Sequence, residues 1–258
     1  MKIAVGLTAL LLLVNHIRAD EEVVAPDFSP GEALRFDLRW SFFHVGYATL
    51  QVHDLVEYEG ESAWHFSFHV RTNRFADRFF KVRTRIDTWV SEDLSRTLFY
   101  KESKREGKTR REIEVTFDWE NREATYSNYG EAREPIALPE GPVLDPVGAV
   151  YRFRSLPLEE GGVYSFGVTD GKKAVVISLP INEEERIKVD AGRFNTYKIR
   201  PETGEIGGVF EKSADSEVNL WFSTDQPVYP IQVQGEVTVG SFWAKLNKVE
   251  ILDPEELD

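Results

Sequence analysis

Residues 33–40 read Ala33-Leu34-Arg35-Phe36-Asp37-Leu38-Arg39-Trp40. Leu34, Phe36, Leu38 and Trp40 recur at every second position, with Arg35, Asp37 and Arg39 between them. Successive side chains of a strand point to opposite faces, so this is the period of a strand buried on one side. The pattern extends outward from there. Two further strands, about Val45 to Glu57 and about Glu61 to Asn73, flank Tyr58-Glu59-Gly60, which reads as a three-residue hairpin loop with the glycine in the left-handed position. Pairing Glu57 with Glu61 sets Val52 opposite Phe66 and Leu50 opposite Phe68, with Trp64 and Val70 beside them. Both strands then agree on their apolar face, and a slip of one residue would destroy the agreement.

More hairpins follow. Val82 to Val90 alternates, and Leu98 to Glu106 and Thr109 to Trp119 are joined by Gly107-Lys108, which places Tyr100 opposite Val115 and Leu98 opposite Phe117. Val163 to Val168 and Ala174 to Leu179 flank the turn dipeptide Asp170-Gly171, and Arg193 to Arg200, Val218 to Phe222, Ile231 to Val239 and Ser241 to Ile251 supply further strands. One helix is predicted over 145–155, with Asp145 as N-cap, Pro146 at the first helical position, and Val147, Val150, Tyr151 and Arg154 on a shared face. Arg74 to Phe80 forms a weaker helical segment whose Phe75 and Phe79 could make a lid. Residues 130–142, with prolines at 135, 139 and 142, read as an extended connector and a sub-boundary. Long strands need their edges paired. The expected fold is therefore mainly β: a curved antiparallel sheet or incomplete β-barrel, with the 145–155 helix on its concave face.

The ends and the charge bound the compartment and the partners. An apolar run from Ile3 to Val14, after Lys2 and before Asn15-His16-Ile17-Arg18-Ala19, is shorter than the ~20 residues that cross a bilayer and has the form of a secretory signal. Cleavage is expected after Ala19, with Ala25 as second choice, leaving residues 20–258 as one β-rich domain, soluble in the periplasm and without a transmembrane anchor. The chain carries 31 Lys+Arg against 44 Asp+Glu, a net −13, which argues against nucleic acid as a partner. Between Arg71 and Arg111, however, 13 basic residues meet 6 acidic ones. A basic hairpin thus sits in an acidic protein, either balanced internally or offered to an anionic envelope component. With no cysteine, disulfide frameworks and cysteine-based catalysis or metal binding are excluded.

Six segments, GEALRFDLRWSFFHVGYATL, FDWENREATY, LDPVGAVYRFRSLPLEEG, GRFNTYKIRP, LWFSTDQPVYPIQV and GSFWAKL, occur in the order found in the exported bacterial family called domain of unknown function 3108. The chain resembles that family over nearly all of residues 20–258. The resemblance implies a periplasmic, β-rich protein and carries no catalytic residue with it. The closing pattern, Leu220-Trp221-Phe222, Asp225 and Pro230 before a final pair of strands, is also similar to the last strands of LolA-type lipoprotein carriers. That likeness implies an unclosed barrel sheltering acyl chains beneath a helical lid.

Candidate sites follow from this frame. The aromatic set Trp40, Trp64, Phe66, Phe68, Phe36 and Trp243 lies on strands of the curved sheet, where it either packs the core or lines a concavity for an apolar ligand. With Phe75 and Phe79 as lid, Tyr151 from the helix, and Arg83 and Arg85 placed to meet an anionic head group or to pair with Glu or Asp on neighbouring strands, these residues make up the candidate ligand site. His53 lies opposite His65, with Glu57 and Glu61 on the same face, and the two imidazoles are near enough to share a metal ion. Solvent-facing histidines on an amphipathic strand are the commoner outcome, and no cofactor is implied. No G-x-S-x-G elbow occurs, and Glu160-Gly161-Gly162 precedes a strand, not a helix. The leading expectation is a non-enzymatic protein that binds an apolar or amphiphilic envelope molecule. The alternatives are an enzyme acting on envelope or extracellular polysaccharide through paired carboxylates, and a structural or adaptor protein that binds another envelope protein through an exposed strand edge or its basic hairpin.

Overall fold

The computed structural model describes residues 26–203, 218–236 and 241–253; the signal segment at 1–19 and the end of the strand expected at 231–239 lie outside them. The first half of the chain is a meander: β1 (Glu32–Trp40), β2 (Phe43–Tyr58), β3 (Glu61–Thr72), β4 (Val82–Ser91), β5 (Thr97–Glu106), β6 (Thr109–Asp118) and β7 (Glu123–Asn128), each antiparallel to the next. The expected connector at 130–142 carries two short strands, β8 (Glu131–Ala132) and β9 (Ile136–Ala137), which return to pair with β7. Then come β10 (Val143–Leu144), the helix α1 (Pro146–Arg154), β11 (Val163–Thr169), β12 (Ala174–Val189), β13 (Gly192–Ile199), β14 (Glu202–Thr203), β15 (Val218–Ser223), β16 (Pro230–Glu236) and β17 (Ser241–Ile251). β17 pairs with β1, joining the halves into one continuous sheet, and a parallel bridge from Val143 of β10 to Arg96, just before β5, ties the end of the second half back onto the middle of the first. The strands therefore wrap into a barrel-like shell, as alternation and long strands required.

Inside the shell runs α1. Asp145 caps it, accepting hydrogen bonds from the backbone N–H groups of Val147 (2.8 Å) and Gly148 (3.2 Å), and Pro146 opens its first turn. A Cβ at Gly148 would stand 2.9 Å from Val90 Cγ2, so the glycine lets the helix lie directly on β4. The sequence assigns one buried face to this helix. Instead Val147, Ala149, Tyr151, Arg152, Phe153 and Arg154 are all buried, because the shell surrounds the helix. Its two arginines reach buried acceptors. Arg152 Nη1 donates to Leu94 O, while Arg154 forms a bidentate pair with Glu32 (2.7 and 3.1 Å) and donates from Nε to Val228 O.

The first hairpin departs from expectation in an instructive way. Val52 pairs with Phe66 and Leu50 with Phe68, as the apolar pattern required. Near the turn, however, Glu57 pairs with Ser62 and Tyr58 with Glu61, so the loop is the two-residue Glu59-Gly60, with φ of 49° and 91°. Positive φ at both central positions matches the twist of the flanking strands better than a three-residue loop does. A bulge between Val52 and Leu55 absorbs the extra residue and restores the apolar register.

Candidate functional site

Register places the arginines. On the face of the sheet turned away from the helix, Arg71 of β3 pairs with Arg83 of β4, Arg83 with Arg105 of β5, and Arg105 with Arg110 of β6. Like charges at directly opposed positions repel, so a row of four is unusual in a sheet selected only for stability. Arg83 is offset by Asp77 (2.7 Å), and Arg71 lies over the ring of Tyr47, its β2 neighbour, at 5.8 Å. Among the described residues neither Arg71 nor Arg105 has a carboxylate partner. The twist of the sheet makes this face a groove of about 530 Å³ lined by Arg35, Arg71, Arg83, Arg85 and Arg105. Arg35 and Arg85 are held by Glu250 and Asp87.

The same end of the sheet is tipped with aromatics. The β1–β2 turn exposes Phe42 and Phe43, and the β3–β4 connection exposes Phe75, Phe79 (78% accessible) and Phe80. Phe75 stacks on Phe43 at 6.2 Å and meets Phe79 edge-on at 5.5 Å, so the two loops form one apolar surface. Asn73 fixes their relation by donating from Nδ2 to His44 O (2.7 Å) and accepting from the Ala76 N–H. The predicted helix at 74–80 is only a single 3-10 turn, Ala76–Arg78, because Asp77 is drawn back to Thr72 and Arg83. Those bonds, that from Arg83 first, hold the Asp77 carboxyl below the usual aspartate range.

A histidine cluster occupies the other end of this face. The β2 bulge lays the His53 ring on that of His65 at 4.1 Å, and His65 stacks in turn on Trp89 at 4.5 Å. His53 Nε2 meets Ser67 Oγ at 2.8 Å, and His65 Nε2 meets Asp87 Oδ1 at 3.1 Å. Burial, and then the neighbouring His65, push the His53 pKa down to about 4. Burial opposes the charge on Asp87, but hydrogen bonds from His65 and Arg85 outweigh it and keep the carboxyl low.

The predicted site residues fall into two groups. Phe66 and Tyr151 stack at 3.8 Å, both fully buried, and fill the space between helix and sheet that the sequence offers to a ligand. Trp64 packs against Phe28 (5.1 Å), and Phe68 and Phe36 belong to the same core. The second group comes together outside. Trp40, expected to face inward, is 46% exposed because it stands at the end of β1, paired with Phe43 and Phe242, which are themselves exposed. Phe75 and Phe79 do not roof the concavity; they extend from the shell beside Arg83 and Arg85, whose carboxylate partners are not on neighbouring strands but in the β3–β4 connection (Asp77) and on β4 itself (Asp87). Trp243 stacks on Trp221 at 6.2 Å. Glu57 and Glu61 do not join the histidines; Glu61 pairs with Arg96 (2.6 Å), and Asp87 from β4 takes their place. The alignment of Arg71 and Arg105 with Arg83, and of Asp87 with the histidines, was not legible in the sequence for one reason. The hairpin registers were legible within β2–β3 and β5–β6, but the length of the β3–β4 turn was not. Among carboxylates, Asp145 has its pKa raised by burial, yet Thr88, Thr97, Val147 and Gly148 all donate to it and it serves as a cap.

With the geometry in place, comparison with known proteins bears on the fold. The model of a family described as "Protein of unknown function (DUF3108)" matches residues 35–247. A β-barrel-like protein of a different domain of unknown function, DUF1849, from Brucella abortus is similar in structure, with a TM-score of 0.57 at 10% identity over 90% of this chain and 100% of that one. A protein with a YmcC-like fold from Bacteroides fragilis covers 89% of this chain and 99% of its own at 10% identity, with a TM-score of 0.38. No curated protein matches the chain.

Proposed function

The chain belongs to the DUF3108 family, and from that premise we propose that it is an exported, periplasmic binding protein for anionic amphiphiles that docks on a lipid surface through the arginine-and-phenylalanine end of its sheet. The observation that carries this reading is the juxtaposition of Phe42, Phe43, Phe75 and Phe79, exposed and contiguous, with Arg71, Arg83 and Arg105 in register on the neighbouring strands. Aromatic rings insert at the boundary between head groups and acyl chains, while guanidinium groups pair with phosphates in bidentate fashion. The two features are of use together only against a surface that is greasy beneath and anionic above. Each inserted phenylalanine contributes up to about 1.5–3 kcal/mol, and each arginine at an anionic surface about 1 kcal/mol. No described helix is long and apolar enough to cross a membrane, so the association is peripheral in this reading. The leading sequence expectation, an amphiphile ligand, is thereby kept while its site moves from the filled interior to the outer face.

The test is co-sedimentation of the protein with phosphatidylcholine vesicles, with and without phosphatidylglycerol. Binding should require the anionic lipid and weaken with salt, because the arginine contribution is screened beyond ~8 Å at 0.15 M. Equal binding to both vesicles, or to neither, contradicts the proposal.

A further inference from the structure

We propose that His53, His65 and Asp87 form a binding site for a single divalent transition-metal ion of the zinc or copper type. This cluster lies at the end of the face away from the exposed phenylalanines. The three residues come from three adjacent strands, and their ligand atoms already lie within 4.8 Å of one another. A tetrahedral ion with bonds of 2.0–2.1 Å holds its ligand atoms roughly 3.3 Å apart, so no separation in the cluster need shorten by more than about 1.5 Å. Side-chain rotation supplies that. His65 Nε2 and Asp87 Oδ1, 3.1 Å apart, already stand at the spacing of two ligands of one ion, and His53 gives up Ser67 Oγ at 2.8 Å to join them. Two imidazoles and one carboxylate make the mixed nitrogen and oxygen set that suits zinc and copper, not magnesium or calcium.

The surroundings look built to hold these groups in place. The β2 bulge between Val52 and Leu55 lays His53 over His65. Trp89, parallel to His65 within 2°, fixes the plane of that ring, and Ser67, fully buried, is braced by Gln51 Oε1 at 3.2 Å. Arg85 grips Asp87 through Nε (2.8 Å) and Nη2 (3.1 Å). That guanidinium orients the carboxylate but opposes a second cation. The site therefore binds more weakly than a three-ligand zinc enzyme, and neutralising Arg85 strengthens it.

Titration of the untagged full chain with Zn2+ by calorimetry tests this. One ion per chain is expected, with His53→Gln weakening binding at least about tenfold and Arg85→Gln tightening it. His44→Gln, elsewhere on the sheet, should leave it unchanged. Copper(II) supplies a second readout, because an ion at His65 quenches the fluorescence of Trp89, and Trp89→Phe should remove that quenching while retaining one bound ion. Absence of binding at millimolar Zn2+, or wild-type binding by His53→Gln, overturns the proposal. If His53→Gln does not fold, quenching that persists unchanged in Trp89→Phe overturns it in its place, and quenching lost there upholds it.

Discussion

Arg71 and Arg83 stand directly opposite each other in the β3–β4 ladder, two positive charges on one face of a sheet, with Arg105 paired to Arg83 on the far side. A sheet gains nothing from this arrangement by itself. Replacing Arg105 with Gln should therefore raise stability at low salt by about 0.2–1 kcal/mol while reducing binding to anionic vesicles. Urea denaturation and co-sedimentation on the same variant check both halves. A variant that loses stability would show the row to be structural.

Phe79 is 78% exposed and makes its ring contact with Phe75 alone among the described aromatics, so Phe79→Ser should leave the melting temperature within experimental error. Its affinity for mixed vesicles should fall about tenfold or more, the equivalent of removing about 1.5–3 kcal/mol of interfacial burial. High salt should weaken the wild type and this variant by the same factor, because the arginines remain.

The interior makes different demands. Phe66→Ala removes a fully buried ring from between Tyr151 and Phe28 and should cost about 3–5 kcal/mol in urea denaturation. Tyr151→Phe should be neutral or stabilising. The Tyr151 hydroxyl is buried without a hydrogen-bond partner among the described residues, and burial drives its pKa upward.

Glu32 and Arg154 are paired at 2.7 Å with side-chain exposures of 4% and 2%, and Arg154 also faces the rings of Phe28, Tyr151 and Tyr229. Removing one partner leaves a buried charge alone. Glu32→Gln should cost about 3–5 kcal/mol, and the double variant Glu32→Gln with Arg154→Met should recover part of that loss.

Acid should loosen the aromatic tip. Asp77 titrates lower in the folded chain than in the unfolded one, so its contribution is complete above the ordinary aspartate value of about 3.9 and is lost as pH falls through its own lower value. Protection of the 73–80 amides from hydrogen exchange should be unchanged between pH 7 and 5 and should decline below about pH 4. Asp77→Asn should exchange rapidly throughout. Constant protection down to pH 2 in the wild type would refute the link.

How far the sequence could be read follows from these same residues. Leu34, Phe36 and Leu38 repeat at period two and are buried, Tyr100 does pair with Val115, and Asp145-Pro146 begins the helix. Each rests on short-range chemistry. The end of the buried part of β1, which leaves Trp40 outside, and the Val52/Leu55 bulge that raises His53 are set by how strands fit around the shell, which no local pattern encodes. The row Arg71–Arg83–Arg105 was half visible as a cluster of positive charge. Only the pairing across the β3–β4 turn showed that its members share one face. Phe66, offered to a ligand, packs against Tyr151 because the shell closes tightly around the helix, and hydrophobic patterning cannot distinguish a lined hollow from a filled one.

The central claim concerns which part of the molecule meets a lipid surface, and the absence of cysteine makes it directly measurable. An environment-sensitive fluorophore attached at Phe79→Cys, and separately at Glu183→Cys on β12, would be mixed with phosphatidylglycerol-containing vesicles that carry a quencher within the acyl region. The account predicts quenching at position 79, lost when the anionic lipid is omitted, and none at position 183. A label at 79 that remains in water, or equal quenching at both positions, would contradict it.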